Sequence, residues 1–158
     1  MLTPEQLTTL KAAILAETNA TFVAARTGGN TEAMASWYNA ESNTNAWMSS
    51  VDDRILFEAC DITKFDNLQP GKQASQTRME NMAGRFGLDF KRQKMRKAVQ
   101  DIWGNADSVA ILEALRRKAT KGEVVFGGNS ATTNTVEALK LNWEGQLSYT
   151  DIINALAA

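Results

Sequence analysis

The spacing of apolar residues changes once along this chain, near Gly122, and this change constrains the fold more than any other feature. Before Gly122, apolar side chains recur every three or four residues, which is typical of amphipathic helices. Three stripes carry the pattern: Leu7, Leu10 and Ile14; Met95, Val99 and Ile102; and Ile111, Leu112 and Leu115. After Gly122, Leu139, Leu141 and Trp143 alternate with polar residues, which is typical of a strand.

This pattern predicts a mainly α protein with a small β element at its C-terminal end. We expect a helical body over residues 1–122. Residues 123–158 are then predicted to hold one β-hairpin and a short terminal helix, either in the same domain or as a docking arm. The polar residues 41–45 predict a loop within the helical body.

Capping residues mark where helices begin and end. Thr3 and Gln6 form a capping box that predicts the start of the first helix, and Ser148 and Asp151 do the same for the last helix. Gly104 predicts a break between a helix over residues 90–103 and the helix that follows it.

The hairpin is predicted to have strands at residues 123–126 and 139–143 and a long, polar, mobile tip between them at 127–135. Two strands alone are marginal in water, so they need a further partner, which is either the helical body of this chain or another subunit. Both alternatives stay open. The residues that would form such an interface are Phe126, Gly127, Gly128, Asn129, Leu139, Leu141 and Trp143.

Charge is balanced overall but unevenly placed. The chain has 17 Lys and Arg against 18 Asp and Glu, which excludes a globally basic nucleic-acid-binding protein. Residues 91–121 nevertheless hold a basic set, which suits phosphate groups or an acidic partner, or which simply forms the solvated face of helices. Its members are Lys91, Arg92, Lys94, Arg96, Lys97, Arg116, Arg117, Lys118 and Lys121. Periodicity predicts that Lys94, Arg96 and Lys97 are exposed.

The residues of catalytic and metal sites are scarce. The chain contains no histidine, and Cys60 is its only cysteine. Cys60 therefore lacks its usual catalytic base, and a multi-cysteine zinc site is excluded. We expect no enzymatic activity, no metal and no cofactor. The four tryptophans are spread over different elements and are expected to anchor the core or an interface rather than to stack on bases.

Three blocks of the sequence resemble a family of small structural proteins of tailed-bacteriophage virions, from the head–tail connector and adaptor region, that usually have no assigned function. The first block is residues 2–11, and the second is residues 96–103. The third begins with Arg117, Lys118, Ala119 and Thr120, which resemble the end of a family helix, and continues to Asp151. Residues 20–90 depart from the family pattern.

The resemblance implies a non-enzymatic virion structural protein, most readily a ring-forming head–tail adaptor or head-completion protein of the neck. It implies assembly in the host cytoplasm and a place in the virion. The expected partners are further copies of this chain in a ring and neighbouring portal or tail-side virion proteins, with no membrane contact. The alternative is a soluble nucleic-acid-associated protein that uses the basic region 91–121, and non-specific DNA contact belongs to this alternative.

Overall fold

The computed structural model describes all residues, 1–158. It contains nine helices and four strands. The helices are α1 (Pro4–Ala16), α2 (Ala20–Thr27), α3 (Thr31–Asn39), α4 (Asp53–Ala59), α5 (Ile62–Phe65), α6 (Pro70–Phe86), α7 (Gln93–Ala114), α8 (Lys121–Val125) and α9 (Tyr149–Ala157). The strands are β1 (Glu41–Trp47), β2 (Arg116–Thr120), β3 (Gly128–Thr133) and β4 (Val136–Leu141). Helix predominates as predicted, but the strands form more than a single C-terminal hairpin.

The four strands form one mixed sheet in the order β2-β1-β4-β3. β4 pairs with β1 in parallel, and Ala46 lies opposite Leu139. β1 occupies the segment that was predicted to be a loop, and this prediction is wrong. The polar sequence of β1 has weak strand propensity, but a strand with neighbours on both sides gains backbone hydrogen bonds that override propensity.

The hairpin also differs from the prediction. Residues 121–125 form α8, which begins at a capping box between Thr120 and Glu123, so the predicted first strand at 123–126 is wrong. The predicted mobile tip is instead strand β3 and a tight connection, in which Asn134 has a φ of 56°. The hairpin finds its further strand in β1 of the same chain, which removes the need for a second subunit to complete the sheet.

The chain divides into two compact units. The first contains residues 1–44, 118–129 and 141–158, and the second contains residues 45–117 and 130–140. Each unit therefore includes residues from both sides of residue 122, whereas the sequence pattern suggested a division at that position.

In the first unit, α9 packs against α1 and α3, and α2 packs against α3. Leu10 and Ile14 are buried in this core, as the first stripe predicted, and Leu7 packs at its margin. Phe22 joins the helices by packing edge-on against Tyr38, with ring centroids 5.4 Å apart. The capping boxes predicted at Thr3 and Ser148 are both confirmed.

In the second unit, α4, α6 and α7 surround a core that includes Trp47, Leu56 and Phe90. The predicted stripes are confirmed there: Val99, Ile102, Ile111, Leu112 and Leu115 are buried, and Met95 packs against them. The break predicted at Gly104 is also confirmed, because this residue has a φ of 77° and interrupts α7.

Candidate functional site

A buried polar chain joins α6, α7 and the only cysteine in the second unit. The Gln76 side chain is fully buried and accepts a hydrogen bond from the Trp103 indole nitrogen over 3.0 Å. Its amide nitrogen donates to Glu80 Oε1 over 2.9 Å and approaches Cys60 Sγ at 3.3 Å. Sequence reasoning missed Gln76, because its spacing with Met79 and Ala83 is visible but its polarity argues against burial.

This environment also makes Cys60 unreactive. Burial, reinforced by the negative charge of Glu80, raises the pKa of the Cys60 thiol to about 12. The thiol therefore stays protonated near neutral pH and is a poor nucleophile. No group of three or more acidic, histidine or cysteine side chains is placed to hold a metal ion. None of the helices combines the length and apolar character needed to cross a membrane.

The predicted interface residues are dispersed rather than gathered on one exposed tip. Phe126 and Trp143 pack edge-on against each other in the first unit, with centroids 4.8 Å apart. Leu141 is buried, and Leu139 is half-buried beside β1. Gly127 accepts a hydrogen bond from the Asn142 backbone over 3.1 Å. Gly128 and Asn129 begin β3, and Asn129 is the one exposed residue of the predicted interface set.

Strand β3 lies at one edge of the sheet and β2 at the other. An edge strand presents backbone groups to which a further strand can add. Three consecutive residues of β2, Arg116, Arg117 and Lys118, are basic, and charged side chains on an edge discourage strand addition. β3 contains neither charge nor proline, and its residues Ser130 and Thr132 are exposed. β3 is therefore the edge that is more open to another strand.

The prediction that Arg96 is exposed is wrong. Its side chain is only 2% exposed. Its Nε donates to Thr133 Oγ1 over 2.9 Å, and its Nη1 donates to the carbonyl oxygens of Phe90 and Lys91 over 2.5 and 2.7 Å. Its guanidinium carbon lies 4.9 Å from the centre of the Trp47 ring. Arg96 thus binds the core of the second unit together and offers nothing to a ligand.

Several other members of the basic set are also engaged within the protein. Arg116 donates to the Glu137 carbonyl over 3.1 Å, and Arg92 lies 3.4 Å from the Asp89 carboxylate. In the first unit, Lys118 donates to a backbone carbonyl, and the Lys121 nitrogen lies 3.1 Å from the centre of the Trp37 ring. Lys91 and Arg117 likewise interact within the protein. Within the basic set, only Lys94 and Lys97 of α7 are exposed and without a bond inside the protein.

A groove between α6 and α7 in the second unit has a volume of about 460 Å³ and a mainly apolar lining. Its lining comes from two helices and is rich in methionine. Met79, Met82, Met95, Ala98 and Ile102 supply the apolar part, and Ser75, Arg78 and Asp101 supply the polar part. At the end of α6, Phe86 is 81% exposed and Met82 is 50% exposed.

A second groove runs along the opposite side of α6, against α4, and encloses about 520 Å³. Phe57 lines it and is 55% exposed, and Ile62 of α5 is 53% exposed nearby in the sequence. Together with Met82 and Phe86, these residues form what we call the exposed apolar set of the second unit. Helical spacing gave no signal for this set, because Met82 and Phe86 share one apolar face of α6 with the buried Met79.

No protein-family model, curated protein or solved structure matches this chain. The three blocks at residues 2–11, 96–103 and 117–151 are distributed unevenly over the fold. The first block lies in α1 and the end of the third block lies in α9, and these two helices pack together in the first unit. Arg117, Lys118, Ala119 and Thr120, expected to end a helix, instead form part of β2.

Proposed function

We propose that this protein is a non-enzymatic structural protein of a tailed-bacteriophage virion, which forms rings in the neck as a head–tail adaptor or head-completion protein. The observation that carries the proposal is the exposed apolar set of the second unit, Phe57, Ile62, Met82 and Phe86. Phe57 and Ile62 share one surface hollow, and Met82 and Phe86 share another. Single apolar residues are ordinary on surfaces, but groups of large ones are typical of interaction sites. The resemblance of three sequence blocks to virion proteins supports the phage assignment.

The chemistry of the side chains supports a non-enzymatic role. The chain has no histidine, and its only thiol has a pKa raised to about 12, so a nucleophile with its usual base is lacking. The charge-free edge strand β3 supports assembly, because strand addition is a recurrent way for one chain to engage another. A contact between different surfaces of successive copies closes into a ring when the rotation permits it.

Substitution of the exposed apolar set tests the proposal. Phe57→Ser and Phe86→Ser remove large apolar surface at exposed positions, so the melting temperature should stay within about 2 °C of the parent's. Both changes should reduce ring formation, measured by native mass spectrometry, and incorporation into particles, measured by mass spectrometry of purified virions. The matched control is Tyr149→Ser in the first unit, where the side chain is 54% exposed. Equal assembly of parent and both variants, or virions that lack the protein, would refute the proposal.

The alternative function, nucleic-acid association, now depends on few residues. Lys94 and Lys97 are exposed and form no ion pair, whereas Arg96 and Arg116 are held within the protein. Two phosphate contacts predict a slope of roughly −2 for the logarithm of the binding constant against the logarithm of salt concentration. Micromolar binding to duplex DNA with such a slope, abolished by Lys94→Glu with Lys97→Glu, would favour the alternative.

A further inference from the structure

We infer that the groove between α6 and α7 binds a helix from a partner protein, and that this helix is apolar on the buried face and acidic on its flanks. The inference names the chemistry of a partner in the proposed assembly. It rests on the proposed function only for the location of that partner in the virion. It follows from the shape of the groove, the nature of its lining and the charges along its sides.

The groove has the form that receives a helix. Its walls are the sides of two packed helices, and its lining includes Met79 and Ile102, which are 6% and 7% exposed. The apolar ridge of a third helix fits such a depression, with anchors spaced by three or four residues. The small side chain of Ala98 leaves room on the α7 side of the groove for a bulky anchor residue of the partner helix.

The lining also suits an adaptable contact. Three of the six methionines of the chain, Met79, Met82 and Met95, line this one groove. Methionine side chains are flexible and polarizable, and they recur at surfaces that bind amphipathic helices. Met82 is 50% exposed, so the groove is open at the surface and carries apolar area that nothing in this chain covers.

The charges beside the groove select an acidic occupant. Arg78 lines the groove, and with Arg85 it flanks Met82 in the adjoining hollow. On α7, Lys94 lies one turn before Ala98 on the same face. Arg78, Arg85 and Lys94 form no ion pair in the structure, and Arg78 only donates to the Ser75 hydroxyl. Asp101 is the one carboxylate in the lining. Complementarity therefore favours carboxylates on the partner.

A second copy of this chain supplies no long helix of this kind. Its α4 exposes Phe57 beside Asp53 and Glu58, but α4 has only seven residues, about two turns. The exposed apolar stripe of α9, formed by Tyr149, Ile153 and Leu156, has one acid beside it, Asp151, which is engaged in capping α9. Nucleic acid is a poorer occupant as well, because an apolar floor offers a phosphate backbone no hydrogen-bond donors. The occupant to which we commit is an acidic amphipathic helix of another protein.

The test uses the full-length protein labelled with ¹³C at the methionine methyl groups and observed by NMR. Two synthetic peptides of about 18 residues share leucine anchors at helical spacing. They differ only in carrying Glu or Lys at the flanking positions. The Glu peptide should shift the methyl resonances of Met79, Met82 and Met95 saturably and leave Met34, buried in the first unit, unchanged. The Lys peptide should bind at least about tenfold more weakly.

Charge reversal supplies the second arm. Arg78→Glu with Lys94→Glu should weaken binding of the Glu peptide at least about tenfold and strengthen binding of the Lys peptide. The control, Lys140→Glu, reverses an exposed charge on β4 and should change neither affinity. Equal affinity for the two peptides, no methyl shift with either, or equal shifts at Met34 and Met82 would overturn the inference.

Three further outcomes complete the test, and the last two separate the inference from the proposed function. If a DNA duplex shifts the same methyl resonances and displaces the Glu peptide, the groove between α6 and α7 binds nucleic acid and the inference is overturned. If the Glu peptide binds as expected but purified virions lack the protein, the groove assignment is supported and the virion role fails. If virions contain the protein and neither peptide binds, the groove assignment fails and the virion role is supported.

Discussion

Replacement of Arg96 by methionine separates two views of the basic region on α7. The sequence pattern makes Arg96 a solvent-exposed member of a basic set, whereas the structure makes it a buried donor to Thr133 and to the carbonyl oxygens of Phe90 and Lys91. Methionine keeps the aliphatic stem of the side chain but removes every donor. Arg96→Met therefore leaves three acceptors without their partner and alters the packing on Trp47.

The size of the effect follows from these contacts. A hydrogen bond from a charged donor stabilises by about 1.5–3 kcal/mol, and three such bonds are lost together. The substitution also removes the cost of burying the guanidinium, which offsets part of this loss. It removes the favourable contact with the Trp47 ring as well, which adds to the loss. We expect the free energy of unfolding of the second unit to fall by about 3–4 kcal/mol. An exposed arginine would contribute within about 0.5 kcal/mol.

Urea-induced unfolding, followed by tryptophan fluorescence and circular dichroism, measures this difference. Lys97→Met is the matched control, because it also replaces a basic side chain by methionine, at the next and exposed position of α7. It should change the free energy of unfolding by less than about 0.5 kcal/mol. Arg96→Lys should give an intermediate loss, since an ammonium group lacks the planar fork that reaches the three acceptors. A value for Arg96→Met equal to that of the control would show that the buried contacts carry no stability.

Four further predictions concern Tyr38, Cys60 and β3. The Tyr38 hydroxyl is buried without a hydrogen-bond partner, so Tyr38→Phe should raise the free energy of unfolding by about 1 kcal/mol in chemical denaturation; a loss would contradict this. Burial, with the charge of Glu17, raises the pKa of Tyr38 from 10 to about 12. Folding thus favours the neutral form of Tyr38. The free energy of unfolding of the parent should therefore fall by about 2–3 kcal/mol as the pH rises from 10 through 12, and Tyr38→Phe should not show this loss. Native Cys60 should react with a thiol reagent at pH 8 at least about 100-fold more slowly than in urea, and equal rates would contradict its raised pKa. Deleting residues 128–134 should lower the free energy of unfolding by about 3 kcal/mol or more, because it removes a strand rather than a loop; an unchanged melting temperature would contradict this.

The helices were largely predictable, because the interactions that begin and end them are local. The capping boxes at Thr3 and Ser148 join residues three positions apart, and the break at Gly104 reflects a backbone conformation that glycine adopts readily. The buried stripes followed from helical spacing for the same reason. The candidate surfaces were less predictable, since exposure depends on which neighbouring element covers a face, and Phe57, Met82 and Phe86 resemble core residues until that neighbour is known.

The sequence by itself thus determined where most helices lie, which of their faces are apolar and that no histidine is available. Only the tertiary structure decided that the polar segments β1 and β3 form strands. A strand takes its hydrogen bonds from segments remote in sequence, as β1 does where Ala46 lies opposite Leu139 of β4. The tertiary structure also decided that Arg96 is buried. A charge on a helix is retained inside a protein only when acceptors from other segments meet it, and Phe90 and Thr133 supply them here.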